Sequence, residues 1–273
     1  MAALRLQRLV RFSLVTATLA PLIEFYEQAL GCTLLDIEDC EAGGARRALL
    51  ALGSERLELL QFERPGAPYP AGLAASNVRF QHFAVVVADM AAAYARLARL
   101  PGWQPITRDG PQRLPANAGH VTAFKFRDPE GHPLELLAFA PGAVPSRWQY
   151  PPRAALFLGV DHSAISVTDS ARSIAFYTAL GLSVSASTHN RGPEQARLDG
   201  LTAPDAIVTA LALPDGGAHV ELLCYRNAPA SPPAPLPVND VAATRLEFEG
   251  SARLAFTDPD GHHLLSLAAP PQL

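Results

Sequence analysis

The sequence predicts an α+β fold made of repeated β-α-β-β-β units. Three segments, 11–31, 82–102 and 162–181, each change from the alternating apolar pattern of a strand to the spacing of an amphipathic helix. Strand-like sequence follows each segment and closes on a similar apolar stretch, ERLELLQF, HPLELLAF or HVELLCY. An Asp-Pro-acidic-Gly turn lies between two apolar runs at 128–131 and again at 258–261, which is the pattern of a β-hairpin.

The units are not equally complete. Asp89 and Asp169 stand where the helices of units two and three would be capped, and a Gly follows each of the three helical segments. A fourth unit starts with the strand-like segment 243–249, but Gly250 and Ser251 lead straight into the second Asp-Pro-acidic-Gly hairpin. We therefore expect three complete units and an abbreviated fourth that lacks its helix.

Proline-rich stretches at 63–70, 141–152 and 228–237 mark extended connections between the units. The central stretch divides the chain into a region 1–145, with units one and two, and a region 153–273, with unit three and the truncated unit four. Trp148 and Tyr150 lie in this connection. We expect them either to cover a functional cleft or to join the two regions.

Composition limits the classes of partner. A net charge of -4 without a basic stretch argues against nucleic acid, and no stretch is long enough to span a membrane. The apolar start of the chain is interrupted by Arg11 and matches the internal repeat, so we interpret it as mature structure. Three cysteines without a CxxC pair suit a reducing cytoplasm. We expect a cytoplasmic monomer or homodimer that binds a small molecule.

Units two and three each combine a histidine at the start of the first strand with a glutamate in the last. The pairs are His82 with Glu135, and His162 with Glu221. Tandem units of this kind resemble the vicinal oxygen chelate superfamily, which includes glyoxalase I, extradiol dioxygenases and bleomycin-resistance proteins. The resemblance implies that pairs of units form two cupped, incomplete β-barrels with helices outside. It also implies a metal site where the first and last strands of two units meet.

The corresponding positions in the outer units depart from the family pattern. Unit one has Arg11 and Glu58, and unit four has approximately Ala243 and Leu265. If neighbouring units pair, one cup holds Glu58 with His82 and Glu135. If units two and three pair, and one with four, a single cup collects the two histidines and two glutamates of a glyoxalase-I-like site. The second arrangement is favoured by similar segments in units two and three, GPQRL and GPEQARL.

The resemblance implies one divalent ion, Mn, Fe, Co, Ni or Zn, held by His82, Glu135, His162 and Glu221. Such an ion would stabilise an enediolate on a substrate with adjacent oxygens, while Glu135 or Glu221 moves a proton as the catalytic carboxylate. The leading hypothesis is lyase, isomerase or epimerase chemistry. The alternatives are an Fe(II)-dependent extradiol dioxygenase and a non-catalytic binding protein of the bleomycin-resistance kind.

Polar side chains between the strands of units two and three are candidates for substrate contact. The segment HNRGPEQARLD at 189–199 is unusually polar for this chain, and a counterpart lies at 112–117. Loops between the strands of a cup would lie over its mouth. The candidates are Gln112, Asn117, Asn190, Arg191, Glu194, Gln195 and Arg197.

Overall fold

The fold is described from a computed structural model that covers residues 4–40, 44–149, 155–228 and 236–268. Unit one contains β1 (Leu6–Val15), α1 (Leu19–Leu30), β2 (Thr33–Cys40), β3 (Ala45–Leu52) and β4 (Glu55–Phe62). Unit two contains β5 (Gln81–Val87), α2 (Met90–Leu97), β6 (Gln104–Pro105), β7 (Gln112–Arg113), β8 (Thr122–Arg127) and β9 (Pro133–Ala138).

The second half repeats the pattern, except that unit three has a second, short helix and unit four has no helix among its described residues. Unit three contains β10 (Phe157–Ser166), α3 (Ser170–Ala179), β11 (Ser183–Arg191), α4 (Pro193–Asp199), β12 (Asp205–Ala212) and β13 (His219–Tyr225). Unit four contains β14 (Arg245–Gly250), β15 (Leu254–Thr257) and β16 (His263–Ala268), with β14 running directly into the hairpin. The α+β repeat fold is confirmed. The polar segment of unit three is a strand end and a short helix, where the sequence suggested a loop.

Two open sheets contain these strands. The first sheet has the order β15-β16-β14-β1-β4-β3-β2, so it combines units one and four. The second has the order β11-β12-β13-β10-β5-β9-β8-β6, with β7 on β8, so it combines units two and three. At the centre of each sheet, the first strands of its two units run antiparallel to each other: β1 beside β14 in the first sheet, and β5 beside β10 in the second. Both sheets therefore draw strands from the regions 1–145 and 153–273.

Alternation along the strands gives each sheet one apolar and one polar face. Phe83 and Val85 of β5 point into a shared core with Phe12 of β1, and the rings of Phe12 and Phe83 are 5.6 Å apart. Residues of α1, α2 and α3 belong to the same core. The helices therefore pack on the apolar faces, and the opposite faces are left to form the cups.

Side-chain caps fix where the helices begin. Asp89 accepts a hydrogen bond from Ala92 N at 3.0 Å, and Asp169 accepts one from Arg172 N at 3.1 Å, as predicted from the sequence. The start of α1 is instead bound by Glu130, the acidic residue of the first Asp-Pro-acidic-Gly turn, which accepts from Ala17 N at 3.0 Å. Asp260, in the second such turn, accepts from Thr168 N at 3.2 Å before α3.

The two turns thus connect units that lie in different sheets. Tyr26 of α1 donates to Asp128 at 2.9 Å, and Tyr177 of α3 donates to Asp258 at 3.2 Å. His132, which follows the first turn, is fully buried. The turns anchor unit one to unit two and unit three to unit four.

The central connection is described only in part. Trp148 is buried, and its ring packs against the guanidinium of Arg147 at 4.2 Å. Tyr150 lies outside the described residues. No helix in the described part of the chain is long and apolar enough to cross a membrane.

Candidate metal centre

The polar face of the second sheet carries the four predicted ligands. Ala84 is in register with both Glu135 and His162, and Ala164 with both His82 and Glu221. Residues in register share a face, so the two histidines and two glutamates converge on the seam between β5 and β10. A cavity of about 290 Å³ lies over this seam and is lined by all four.

Three of the four donors form a compact group. Single ligand atoms of His82, Glu135 and His162 lie within 4.8 Å of one another. His82 Nε2 is 2.9 Å from Glu135 Oε2, and the two imidazole rings are 5.9 Å apart. Glu221 lies beside the group, with Oε2 3.5 Å from His162 Nε2.

Asp161 and His219 surround His162 and Glu221. Asp161 Oδ2 is 3.1 Å from His162 Nδ1, and His219 Nε2 is 3.5 Å from Glu221 Oε1. An imidazole that binds a carboxylate through one nitrogen presents the other to a metal, which is the usual arrangement around metal-ligating histidines. Asp161 therefore orients His162. His219 borders Glu221 on the other side.

A buried lysine completes the wall of the cavity. Lys125 is 3 % exposed, and its Nζ lies 2.7 Å from Asp199 Oδ1 and 3.9 Å from Glu135 Oε2. Asp199 at the end of α4 also accepts hydrogen bonds from Gln195 at 2.7 Å and from the Tyr225 hydroxyl at 2.9 Å. The short helix of unit three thus supplies a carboxylate that fixes Lys125 beside the predicted ligands.

The electrostatics follow from burial and from these contacts. Burial and the nearby Lys125 lower the pKa of His82, which keeps this imidazole neutral. Burial opposes the charge on His162, but Glu221 and Asp161 raise its pKa to about 9. Burial alone would raise the pKa of Glu221, yet His162 and His219 hold it at about 2. For Glu135, Lys125 and His82 outweigh burial and lower the pKa.

The residues present suit a divalent cation. The buried Nδ1 of His82 has no hydrogen-bond partner among the described residues, and such an atom is costly unless a ligand satisfies it. Three carboxylates, on Glu135, Asp161 and Glu221, line the cavity, and a fourth, on Asp199, binds the single ammonium of Lys125. Even when His162 is protonated, the carboxylates outnumber the positive charges. Nitrogen and oxygen donors of this kind bind divalent transition metals, which displace the proton from a histidine.

The predicted substrate-contact residues divide into two groups. Asn117, Asn190 and Gln195 line the cavity, and Asn117 Nδ2 is 3.4 Å from Asn190 Oδ1. The other four are not among its lining residues. Gln112 and Arg197 bind each other at 2.6 Å, Glu194 lies 3.7 Å from Arg197, and Arg191 is exposed.

Sequence reasoning missed Lys125, Asp161, Asp199 and His219. Two of them carried a usable signal. In TAFKFR the phenylalanines enter the core, so alternation places Lys125 on the cup face, just as it does for Glu135. His219 lies two residues before Glu221 and shares its face. Asp199 carried no such signal, because its position depends on α4.

The comparisons with known proteins agree with this architecture. The family model described as Glyoxalase/Bleomycin resistance protein/Dioxygenase superfamily matches residues 8–136 and 159–266. The chain belongs to that superfamily. No curated protein is similar enough to count as a relative.

Solved structures of this superfamily show the same fold over nearly the whole chain. Glyoxalase I from Zea mays has 17% identity and a TM-score of 0.65, with 96% of this chain and 92% of that chain covered. A putative dioxygenase from Bacillus subtilis has 12% identity and a TM-score of 0.61, with 98% of this chain and 86% of that chain covered. At these identities the likeness concerns the fold alone.

Proposed function

We propose that this superfamily member is a divalent-metal-dependent enzyme that moves a proton on a small substrate with adjacent oxygens, in lyase, isomerase or epimerase chemistry. The proposal depends on one observation: His82, Glu135 and His162 place three donor atoms within 4.8 Å of one another. A bound divalent ion supplies Lewis-acid stabilisation for negative charge on a substrate oxygen.

Glu221 is the residue we assign to proton transfer. It lines the cavity but lies outside the three-donor group, so it is the carboxylate that remains for a role other than ligation. His219 and His162 hold its two oxygens from either side. A positioned carboxylate of this kind contributes about 10²–10⁴-fold to a proton-transfer rate. Glu135, held by His82 and beside Lys125, acts as a ligand.

Lys125 supplies a positive charge at the same wall. Its ammonium has three N–H donors, and among the described residues only Asp199 accepts a hydrogen bond from it. Burial opposes its charge, but Asp199 and Glu135 raise its pKa, so it stays protonated. In this proposal Lys125 donates to an oxygen of the substrate that gains negative charge.

The first test is metal content. The His82→Ala/His162→Ala variant is expected to lose bound metal, measured by mass spectrometry of the purified protein. His263→Gln is the matched control, because His263 lies in the first sheet and hydrogen bonds to Leu236 O at 2.9 Å. Equal metal content in all three proteins would show that the site is misassigned.

The second test is the reaction. Small α-hydroxyketones are expected to exchange the hydrogen beside their carbonyl for deuterium in D₂O, followed by NMR. Glu221→Gln should slow this exchange about 10²–10⁴-fold while metal content stays unchanged. Equal rates for the wild type and Glu221→Gln would contradict the assigned role.

The second candidate function is Fe(II)-dependent ring cleavage of catechols. Two histidines and one carboxylate are the ligand set of non-haem Fe(II) oxygenases, and that is the composition of the compact group. Oxygen uptake with catechols would favour this function, whereas deuterium exchange without oxygen favours the first. A metal-free protein that binds small ligands tightly without turnover would favour a binding protein instead.

A further inference from the structure

We call the cup of the second sheet, which contains His82, Glu135 and His162, the metal cup. The cup of the first sheet has arginines where the metal cup has histidines. Ser13 of β1 is in register with Glu58 of β4 and with Arg245 of β14. In the metal cup, Ala84 of β5 is in register with Glu135 of β9 and with His162 of β10 in the same way. Arg11 is in register with Glu247 in the way that His82 is with Ala164. Arg11 therefore takes the place of His82.

Unit four follows the same correspondence. Glu247 is in register with Leu265, as Ala164 is with Glu221, which puts Arg245 in the place of His162. The sequence suggested Ala243 for that position, and the prediction was wrong by two residues. A guanidinium does not ligate metals, so this cup has lost the donor set of the other one.

The ionic contacts in this cup also differ from the expected ones. Arg11 Nε donates to Glu247 Oε2 at 2.8 Å, and not to Glu58, the other ligand-position residue of its own unit. Glu58 accepts from Ser13 at 2.6 Å and lies 3.4 Å from Arg47. Arg11 hydrogen bonds only through Nε among the described residues, which leaves both terminal nitrogens available.

A cavity of about 560 Å³ lies toward one end of this face, and Arg8, Arg11 and Arg56 line it. Glu58, Arg245 and Glu247 are not among its lining residues. Leu49 and Leu267 give it apolar walls. The cavity is about twice as large as that of the metal cup, so it has room for a small organic molecule.

The carboxylates of the cavity are largely occupied. Glu249 is bound by Arg8 at 2.9 Å, and Glu55 by Arg147 at 2.9 Å. Asp215 accepts from Gly217 N at 3.0 Å. Arg56 hydrogen bonds only to the backbone oxygens of Ser54 and Glu55, and no described carboxylate pairs with it. The donors left for a ligand are therefore those of Arg11 and Arg56.

We propose that this second cavity binds a small organic carboxylate through the terminal nitrogens of Arg11 and through Arg56. A guanidinium presents two parallel N–H donors at the spacing of two carboxylate oxygens. The metal cup offers ligands for a cation, whereas this cup offers the positively charged side chain of Arg11. The site is independent of the metal and of the function proposed for it.

The test is calorimetric titration of the full-length protein with oxalate. Because oxalate chelates metals, the titration is run on the wild type and on the His82→Ala/His162→Ala variant. Saturable binding is expected in both. Arg11→Lys keeps a positive charge beside Glu247 but removes the paired donors, and should weaken binding at least tenfold in either background. Arg56→Gln, at the edge of the cavity, is a second variant that leaves Glu247 paired and should also weaken binding.

Three results would overturn the proposal. The first is that oxalate shows no saturable binding to either protein. The second is that its binding vanishes in the His82→Ala/His162→Ala variant, which would assign the binding to the metal cup. The third is unchanged affinity in both Arg11→Lys and Arg56→Gln, with circular dichroism showing that both are folded.

Discussion

At the scale of single residues, the metal cup depends on polar groups buried in a strand. Lys125 and Glu135 are direct partners across β8 and β9, and both are buried with few contacts to water. Such groups are stable only when they are paired, and Asp199 provides the pairing at 2.7 Å. The same contacts that position the cup therefore carry a large part of its local stability.

We expect Lys125→Met to lower the free energy of unfolding by about 3–5 kcal/mol, because it leaves Asp199 buried without its cation. Chemical denaturation measures the change. The control is Lys125→Met/Asp199→Leu, which removes both charges and should recover most of the loss. A double variant as unstable as the single one would show that the loss comes from packing.

The sequence identifies the four side chains that converge in this cup more readily than their neighbours. His82, Glu135, His162 and Glu221 were found because a histidine or carboxylate recurs at fixed places in two units. Asp199 occurs once, and only the fold of α4 brings it to Lys125. When a residue reaches the site from an element that is not repeated, the sequence contains no second copy with which to compare it.

At the scale of elements, the Asp-Pro-acidic-Gly turn does more than reverse the chain. After the first turn, His132 Nδ1 is 2.8 Å from Asp128 Oδ2, and Nε2 is 2.9 Å from Val15 O and 3.1 Å from Val241 O. All these partners are acceptors, so both ring nitrogens must donate and the imidazole is charged. The sequence predicts the hairpin from its Pro and Gly, but not the contacts of His132 with Val15 and Val241, because these residues lie more than a hundred positions from His132.

The charge of His132 makes this junction sensitive to pH. Burial lowers its pKa, but Asp128 and the backbone oxygen of Val15 raise it above the ordinary value of 6.5. A group with a raised pKa stabilises the fold fully below the unfolded value and loses that contribution as pH rises through the folded value. The free energy of unfolding should therefore fall as pH rises above 6.5. His132→Gln should be less stable at pH 6 and should flatten this part of the profile; a profile of unchanged slope would exclude His132 as the cause.

At the scale of the whole molecule, the four units are joined in two different ways. The sheets join unit one to unit four and unit two to unit three. The turns join one to two through Tyr26 and Asp128, and three to four through Tyr177 and Asp258. Repeats in the sequence predict the four units. Which units share a sheet depends on strand pairing, and the similar segments GPQRL and GPEQARL only suggest that pairing.

This arrangement predicts a single cooperative unfolding transition. Trp103 packs on Phe124 of the second sheet at 6.0 Å, so in a Trp148→Phe variant its fluorescence reports mainly on the surroundings of that sheet. Far-ultraviolet circular dichroism reports on both sheets. The two midpoints in urea should coincide, because neither sheet keeps all its strands if one half of the chain unfolds. Separated midpoints, or a stably folded fragment 1–145, would contradict it.

Unit four has no helix in its described part and no metal ligand, yet it retains the Asp-Pro-acidic-Gly turn. Through Asp258 and Asp260 that turn holds α3, whose preceding strand carries His162. Each unit contacts two others, one through a sheet and one through a turn. The contacts between the four units therefore form a closed ring. The turn of a unit that contributes no described residue to the candidate metal site therefore still supports the helix that follows the strand of His162.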